Sequence, residues 1–229
     1  YPLQTRTELI KVRGAADSVL TVRSTRHGPL VSDLVDPAGP ALALRWTGMD
    51  AEDDAGLIAY LEANRARNWK DFSDAFRRFP SHAQNMLYAD SDGNIAYLLA
   101  GTVPVRPASD GSVPVPGWTS AYEWRGYIPF EELPVSWNPS QGYLSSANNK
   151  IAPDSYRYTI GTSYAAPYRA VRVQEVLAQP VRFSASDLER LQADVLAVHA
   201  RELMPVLAAI QPATDLDRRA LDLLRSWDF

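Results

Sequence analysis

The 229-residue chain contains no cysteine, which excludes disulfides, zinc–thiolate sites and a cysteine nucleophile. Its formal net charge is −4 and its pI is near 5.4, so nucleic acid and anionic membranes are poor partners. No apolar run approaches the roughly 20 residues that a membrane-spanning helix needs. With 46% hydrophobic and 22% charged residues, the chain reads as a globular protein of one or two domains.

Several patterns of catalytic chemistry are also missing. There is no Gly-x-Ser-x-Gly elbow, no HExxH spacing and no glycine-rich phosphate loop. The three histidines are His27, His82 and His199, so composition alone leaves a Ser–His–acid triad open. The turn residues that follow His27 favour a structural role for it, and His199 lies in a predicted helix as a surface or interface residue.

Alternation of apolar and polar residues predicts two hairpins. Residues 7–13 and 19–25 flank a turn at 14–18, and residues 84–89 and 95–100 flank a turn at 90–94. The second turn, DSDGN, superficially resembles a calcium loop, but it has neither the further spaced acid nor the distal Glu of an EF-hand. We therefore predict a turn there. The proline- and tryptophan-rich stretch 102–139 is predicted to be a crossover that packs over the domain; carbohydrate binding is an alternative for it.

Helical periodicity follows the first hairpin and dominates the C-terminal part. Predicted helices cover residues 52–65, with acids in the first turn, a shorter segment ending before Pro80, residues 167–177, and residues 187–198. A capping box at Ser186 and Glu189 is predicted to open the helix at 187–198. Apolar stripes are predicted at Ala55, Ile58 and Leu61, at Leu203, Leu207 and Ile210, and at Leu216, Ala220, Leu223, Leu224 and Trp227, and the shorter helix is marked by Trp69, Phe72 and Phe76. The adjacent acids (Asp53 and Asp54, Glu131 and Glu132) are read as solvated.

Strands followed by helices make an α+β arrangement. A strand pattern opens the chain and a helical pattern is cut at its end, which predicts a piece of a longer polypeptide. Such a piece is expected to expose apolar faces and strand edges and to assemble with other segments.

A pair of asparagines in QGYLSSANNK, residues 141–150, is the strongest chemical feature. It follows Gly142 and a strand-like run at 143–147. Asn148 and Asn149 can close a turn by bonding their own backbone. Alternatively, a side-chain amide at the end of a strand presents two N–H donors, which an acyl-transfer enzyme needs in an oxyanion hole.

An ordered set of segments resembles the large (β) subunit of the penicillin acylase family of N-terminal-nucleophile hydrolases. They are STRHGPLVSD (24–33), LALRWTGMD (42–50), NWKDF (68–72), QNMLYADSDGNIAYLLAGTVPVR (84–106), PVPGW (114–118), WRGYIPFEELPVSWNPSQGYLSSANNK (124–150) and PYRAVRVQEVL (167–177). Each segment alone is weak, but their order across most of the chain is specific.

The resemblance implies an α+β fold that is part of an αββα sandwich, with the active site between subunits. Residues 1–229 would form one fragment of the β subunit, mainly sheet over 1–165 with helices inserted at 52–78, and helical over 166–229. It implies a self-cleaving precursor whose new N-terminal Ser is the nucleophile and whose α-amine is the base, so no histidine is needed. Tyr1 aligns downstream of that Ser, so the nucleophile is expected outside this chain and the fragment alone is expected to be inactive.

The resemblance also assigns roles to residues. Asn148 would donate to the oxyanion hole, with a backbone N–H outside this chain as second donor, and Arg169 would position it by charge-assisted hydrogen bonds. Arg172 is expected to be structural. Gln84 and Tyr60 match positions that line the acyl pocket.

A polar Gln84 would reject a bare phenylacetyl group because its amide would be left unpaired. Alternatively, Gln84 points away and Met86 or Leu87 lines the pocket. The family's calcium site would need ligands partly outside this chain, and Asp154 is the one candidate; catalysis itself needs no cofactor.

The predicted function is therefore hydrolysis of an N-acyl amide whose acyl group is aromatic, aliphatic or a long homoserine-lactone tail. The predicted partners are the α subunit, the remaining β-subunit segments and a small-molecule substrate, with neither nucleic acid nor membrane. Family habit implies the periplasm or the exterior. The alternative is a non-catalytic binding or scaffold module derived from the same family.

Overall fold

Two antiparallel sheets and a set of helices form within residues 3–50, 55–80 and 82–228, which the computed structural model describes. The first sheet has the order β1-β2-β3 and the second the order β4-β5-β6. The strands are β1 Gln4–Ile10, β2 Ser18–Thr25, β3 Gly28–Pro29, β4 Gln84–Ala89, β5 Ile95–Ala100 and β6 Val135–Trp137. The α-helices are α1 Ser32–Val35, α2 Ala55–Ala63, α3 Trp69–Ala75, α4 Tyr168–Leu177, α5 Ala185–Gln192, α6 Val198–Ala208 and α7 Asp215–Arg225. Short 3-10 helices lie at Thr47–Met49 and Phe130–Glu132.

The chain divides into two units. The first unit contains Tyr1–Trp137 and Asp154–Ser163, and the second contains Asn138–Pro153 and Tyr164–Phe229. The first unit holds both sheets with α1 to α3, and the second unit holds α4 to α7. The chain therefore leaves the first unit after Trp137, re-enters it at Asp154 and leaves it again after Ser163.

Both predicted hairpins are confirmed. In the first hairpin the connecting loop is longer than predicted, because β1 already ends at Ile10, which pairs with Ser18. Lys11 and Asp17 form an ion pair 2.5 Å long across the connecting loop, so these residues leave the ladder. The second hairpin has the predicted strand limits, with Ala89 opposite Ile95.

The carboxylate of Asp90 organises the turn of the second hairpin. Its Oδ1 accepts backbone N–H bonds from Asp92 (3.0 Å) and Asn94 (2.9 Å), and Gly93 takes φ +87°, a conformation that suits glycine. These bonds lower the pKa of Asp90, the side chain of Asn94 contributing most. The predicted turn is confirmed.

Strand β6 lies within residues 102–139, where the sequence predicts no strand. β6 pairs antiparallel with β5, with Ser136 opposite Tyr97. Three residues next to Pro134 are too few to show an alternating pattern. The pairing makes β5 a central strand, and Leu98 in its middle is 0% exposed.

The core of the first unit lies between the second sheet and helices α2 and α3. Its buried members are Ala59, Phe76, Phe79, Leu98 and Ala100. Helix α3 confirms the predicted short helix, and its N-cap Asn68 accepts a bond of 2.9 Å from the backbone N–H of Asp71. The predicted acids at 52–54 lie outside the described residues.

The apolar stripe of α2 is not its buried face. Ile58 and Leu61 are 52% and 50% exposed, whereas Ala59 is 2% exposed. The small side chain of Ala59 lets the helix backbone approach the rings of Phe76 and Phe79, so size rather than hydrophobicity selects the buried face.

The C-terminal helices differ from the prediction at their boundaries. The capping box of α5 joins Ser184 and Asp187 instead of Ser186 and Glu189, because a shorter Asp fills the reciprocal position. The helix ends at Gln192 rather than at 198. Beyond it, Asp194 Oδ1 accepts the backbone N–H of Leu196 at 3.0 Å, and such local bonds compete with the helix.

The inward faces of α6 and α7 are centred on Val198 and Leu221, which are 1% and 7% exposed. Four members of the predicted apolar stripes are exposed: Leu203 in α6, Ile210 after it, and Leu216 and Leu223 in α7. Helix α7 has one broad apolar face, of which Leu221 is buried while Leu216 and Leu223 are exposed. Among the helices that the structure describes, none has the length and apolar content to cross a membrane.

Candidate active site

The two asparagines of the QGYLSSANNK segment do different things. The run at 143–147 forms no strand with any described residue, so that prediction is wrong; a strand requires a paired neighbour. Asn149 closes the turn: its Oδ1 accepts the N–H of Ala147 at 3.1 Å and its Nδ2 donates to the carbonyl of Lys150 at 3.1 Å. Asn148 has φ +60°, in the left-handed region that asparagine tolerates better than most residues.

Arg169, at the start of α4, holds Asn148 in place. Its Nη2 donates to Asn148 Oδ1 at 2.9 Å and to the carbonyl oxygen of Ala147 at 3.0 Å. The backbone N–H of Ala165 donates to the carbonyl of Asn148 at 2.9 Å. Two hydrogen bonds from Arg169 and one from the backbone N–H of Ala165 therefore hold Asn148 and the neighbouring Ala147.

The contact with Arg169 also fixes which way the Asn148 amide faces. A guanidinium has only donors, so the amide oxygen must lie toward Arg169 and the amide nitrogen away from it. Both side chains are solvent-exposed. The two N–H donors of Asn148 are thus directed away from the cation that orients them, as an oxyanion donor requires.

Arg172, one turn further along α4, has a different partner set. Its Nη2 lies 2.6 Å from Asp194 Oδ2, and Glu175 of α4 pairs with Arg201 of α6. The hydrogen bond from Arg172 lowers the pKa of Asp194. This network braces α4 against the segments that follow it, in keeping with the structural role expected of Arg172.

Tyr60 and Gln84, the predicted acyl-pocket residues, lie in the first unit. The ring of Tyr60 meets Phe76 and Phe79 edge-on, with centroids 5.7 and 5.6 Å apart, and 44% of Tyr60 is exposed. Gln84 opens β4 opposite Ala100, a member of the core cluster. Both residues therefore border the same apolar cluster.

The alternation of β4 shows which side chains share a face with Gln84. Gln84 and Met86 are half-buried on one face, while Leu87 faces the other side and is 50% exposed. Gln84 and Met86 thus share the face turned to the core, and Leu87 does not. Whether Gln84 or Met86 contacts an acyl group stays a prediction.

Within the first unit, residues 102–137 contact the preceding part of the chain through charged and aromatic side chains. His27 Nε2 and Arg26 Nη2 both contact Glu123 Oε1, at 2.9 and 2.5 Å. These bonds, with that from Arg26 the larger, lower the pKa of Glu123. Trp124 lies under the guanidinium of Arg45, 4.4 Å from its ring centroid. Such contacts fit the predicted crossover and the predicted structural role of His27.

Not every aromatic residue of this segment packs inward. Trp137 stands 5.6 Å from the ring of Trp69, whereas Trp118 is 85% exposed. Trp124 and Trp137 therefore make the aromatic contacts that hold the crossover in place.

Calcium ligands are not assembled by this part of the protein. Among the described residues, no group of three or more His, Asp or Glu side chains is placed to hold a metal ion. Asp154 is part of no such group, so the described residues do not by themselves supply the acidic ligands of a calcium site.

Comparison with known proteins places these features in context. The profile of the penicillin amidase family matches residues 1–229. The penicillin acylase 2 proenzyme of Pseudomonas sp. (strain SE83) is 34% identical over 229 residues, covering 99% of this chain and 29% of that protein. The acyl-homoserine lactone acylase QuiP of Pseudomonas fluorescens is 32% identical over 224 residues, covering 97% of this chain and 27% of that protein.

A solved structure, the thermostable penicillin G acylase from Alcaligenes faecalis, aligns with a TM-score of 0.76 at 34% identity, covering 98% of this chain and 41% of that one. The predicted α+β class is thereby confirmed. The chain spans less than a third of the length of the two curated relatives described above, at 29% and 27%.

Proposed function

Because the chain belongs to the penicillin amidase family, we propose that it is part of an amidohydrolase that cleaves N-acyl amide bonds. The observation that carries the proposal is the hydrogen bond of 2.9 Å from Arg169 to Asn148 Oδ1. That bond leaves the Asn148 N–H donors directed away from Arg169, which supports a role in donating to a substrate carbonyl oxygen as it gains negative charge. Asn148 is the oxyanion donor and Arg169 orients it.

The reaction proceeds by acyl transfer. A serine hydroxyl attacks the amide carbon, its proton passes to the serine's own α-amine, and the carbonyl oxygen becomes an oxyanion that the Asn148 amide stabilises. Collapse of this intermediate breaks the C–N bond as the α-ammonium returns its proton to the leaving nitrogen, so that the amine departs and an acyl-serine remains. Water then hydrolyses this ester to the acid and the free serine. We place the serine outside this chain, on a segment freed by self-cleavage of a longer precursor. Neither a cofactor nor a metal takes part in these steps.

The partners in this proposal are other segments of the same precursor. Helix α2 exposes Leu57 (67%), Ile58 (52%) and Leu61 (50%) on one side, and β1 is exposed along its length. Exposed apolar side chains on a helix and an exposed edge strand are both places where further segments can pack. Relatives that are more than three times longer have the additional chain to cover them. We place the assembled enzyme in the periplasm or outside the cell.

The acyl group is the least constrained part of the substrate. Relatives are named for penicillin and for acyl-homoserine lactones, so both aromatic and aliphatic acyl amides are candidates. Gln84 is half-buried at the edge of the apolar cluster, where an unpaired amide would disfavour a purely apolar acyl group. Gln84 therefore favours an acyl chain that carries a polar atom.

Substituting Gln84→Leu in the complete gene product should raise kcat/KM for phenylacetyl amides by roughly tenfold, since an unsatisfied buried amide costs about 1–3 kcal/mol. A panel of phenylacetyl, 3-oxoacyl and simple aliphatic amides measures the effect. Leu87→Ala, on the opposite face of β4, is the matched control and should leave the ratio between substrates unchanged. An unaltered ratio in Gln84→Leu would remove Gln84 from the acyl pocket.

The proposal is tested by expressing the complete gene product and analysing it by mass spectrometry and by an amide-hydrolysis assay. We expect two co-purifying chains, the second of which begins with serine and contains this sequence, and turnover of at least one acyl amide of the panel. A single uncut chain without turnover would contradict the proposal and favour the scaffold alternative.

A further inference from the structure

The segment between Trp137 and Asp154 carries Asn148 and is connected to the first unit at both of its ends. We name residues 138–153 the Asn148 loop. The residues just before and after it contact each other within the first unit. Glu132, in the 3-10 helix before β6, meets Tyr156 and Tyr158, and we call these three residues the loop stem.

The contacts of the stem are specific hydrogen bonds. Tyr156 Oη donates to the carbonyl oxygen of Glu132 at 2.7 Å, and Tyr158 Oη donates to Glu132 Oε2 at 2.6 Å. Arg157 adds an ion pair of 2.6 Å to the same carboxylate oxygen and donates to the Tyr158 hydroxyl. The two tyrosine rings meet edge-on at 5.8 Å. Burial raises the pKa of Tyr156.

We infer that Glu132, Tyr156 and Tyr158 are positioning residues for the proposed reaction, because their hydrogen bonds close the base of the Asn148 loop. This inference rests on the proposed function of Asn148. A loop whose ends are held together samples far fewer conformations than one whose ends are free. The restriction matters at Asn148, because a non-glycine residue at φ +60° persists only where its surroundings hold it there.

The contacts of Arg169 and Ala165 with Ala147 and Asn148 anchor the loop near Asn148. That anchor fixes the tip, and the stem fixes the base. Loss of the stem leaves the tip contacts possible but populated for less of the time. The expected consequence is a lower rate constant without weaker substrate binding.

The test uses the double variant Tyr156→Phe/Tyr158→Phe in the complete gene product, which removes both hydroxyls and keeps both rings. Glu131→Gln is the matched control. It breaks the neighbouring ion pair with Arg77 and leaves the stem intact. Hydrogen exchange followed by mass spectrometry should show about tenfold faster exchange in residues 138–153 of the double variant, the loss of one or two net hydrogen bonds. The control should exchange at the wild-type rate there.

The kinetic arm separates positioning from general stability. The double variant should lower kcat about tenfold at unchanged KM, whereas in an Asn148→Ala background the same change should have no further effect on kcat. Equal losses in both backgrounds, or unchanged exchange in residues 138–153, would overturn the inference. A wild-type protein without turnover would contradict the proposed function, while the exchange measurement would still decide whether the stem orders the loop.

Discussion

Asn148→Ala in the complete gene product is expected to lower kcat about 10²–10³-fold, the effect of removing one oxyanion-hole donor, ~2.7–4 kcal/mol. The side-chain N–H groups interact with charge that exists only in the transition state, so KM should change little. Steady-state kinetics on the best acyl amide of the substrate panel measures both constants. The fold of the loop should persist, because Ala147 still accepts its bond from Arg169.

Two neighbouring substitutions separate donation from loop structure. Asn148→Asp keeps the shape and an oxygen for Arg169 but removes the N–H donors, so it should lose at least as much turnover as alanine. Asn149→Ala removes only the local bonds to Ala147 and Lys150 and should cost a few-fold at most, about 1 kcal/mol. Near-wild-type turnover in Asn148→Asp would show that the amide is not an oxyanion donor.

The sequence identifies the asparagine pair as a candidate site, but local chemistry does not tell the roles of the two residues apart. Both residues have the same chemistry, and each can close a turn or donate to a ligand. What separates them is the guanidinium of Arg169, 21 residues away along the chain. A contact at that separation depends on where α4 begins relative to the loop, and no local pattern encodes it. Only the resemblance to a known family pointed to Asn148 and Arg169 together.

Regular local patterns were read correctly where neighbouring residues decide the structure. The hairpin at 84–100 was predicted to the residue because DSDGN specifies its turn and its strands alternate. The loop stem left no such signal: Glu132, Tyr156 and Tyr158 belong to irregular or short segments, and only tertiary structure brings them together.

The helical period gives the apolar stripe of a helix, but it does not determine which side of the helix is buried. In α2 the buried residue is Ala59, and Leu57 and Ile58 are exposed. Periodicity reports which positions share a face, but it does not report which of two faces meets the core and which meets another segment. A helix that is apolar on two sides can pack one side against the core and the other side against another segment. The proposed assembly with further segments accounts for the second side of α2.

Phe76→Ala is expected to reduce the free energy of unfolding by about 3–5 kcal/mol, the usual cost of removing a buried aromatic side chain. Phe76 is 2% exposed and contacts three rings, those of Tyr60, Phe72 and Phe79, at centroid distances of 5.7, 5.2 and 5.9 Å. The loss is a large part of a typical total stability of about 5–15 kcal/mol. Chemical denaturation followed by tryptophan fluorescence measures it, because Trp69 stacks on Phe72 in the same unit.

Val113→Ala is the matched control for that measurement. Val113 is 65% exposed, so its truncation should change the free energy of unfolding by less than about 0.5 kcal/mol. A Phe76→Ala variant as stable as this control would contradict the core described for the first unit.

The core also bears on the acyl pocket, because Phe76 and Phe79 contact the ring of Tyr60 edge-on. If Tyr60 contacts the acyl group, the milder Phe76→Leu should alter acyl preference at temperatures where it stays folded, since the ring it supports loses one of its two edge contacts.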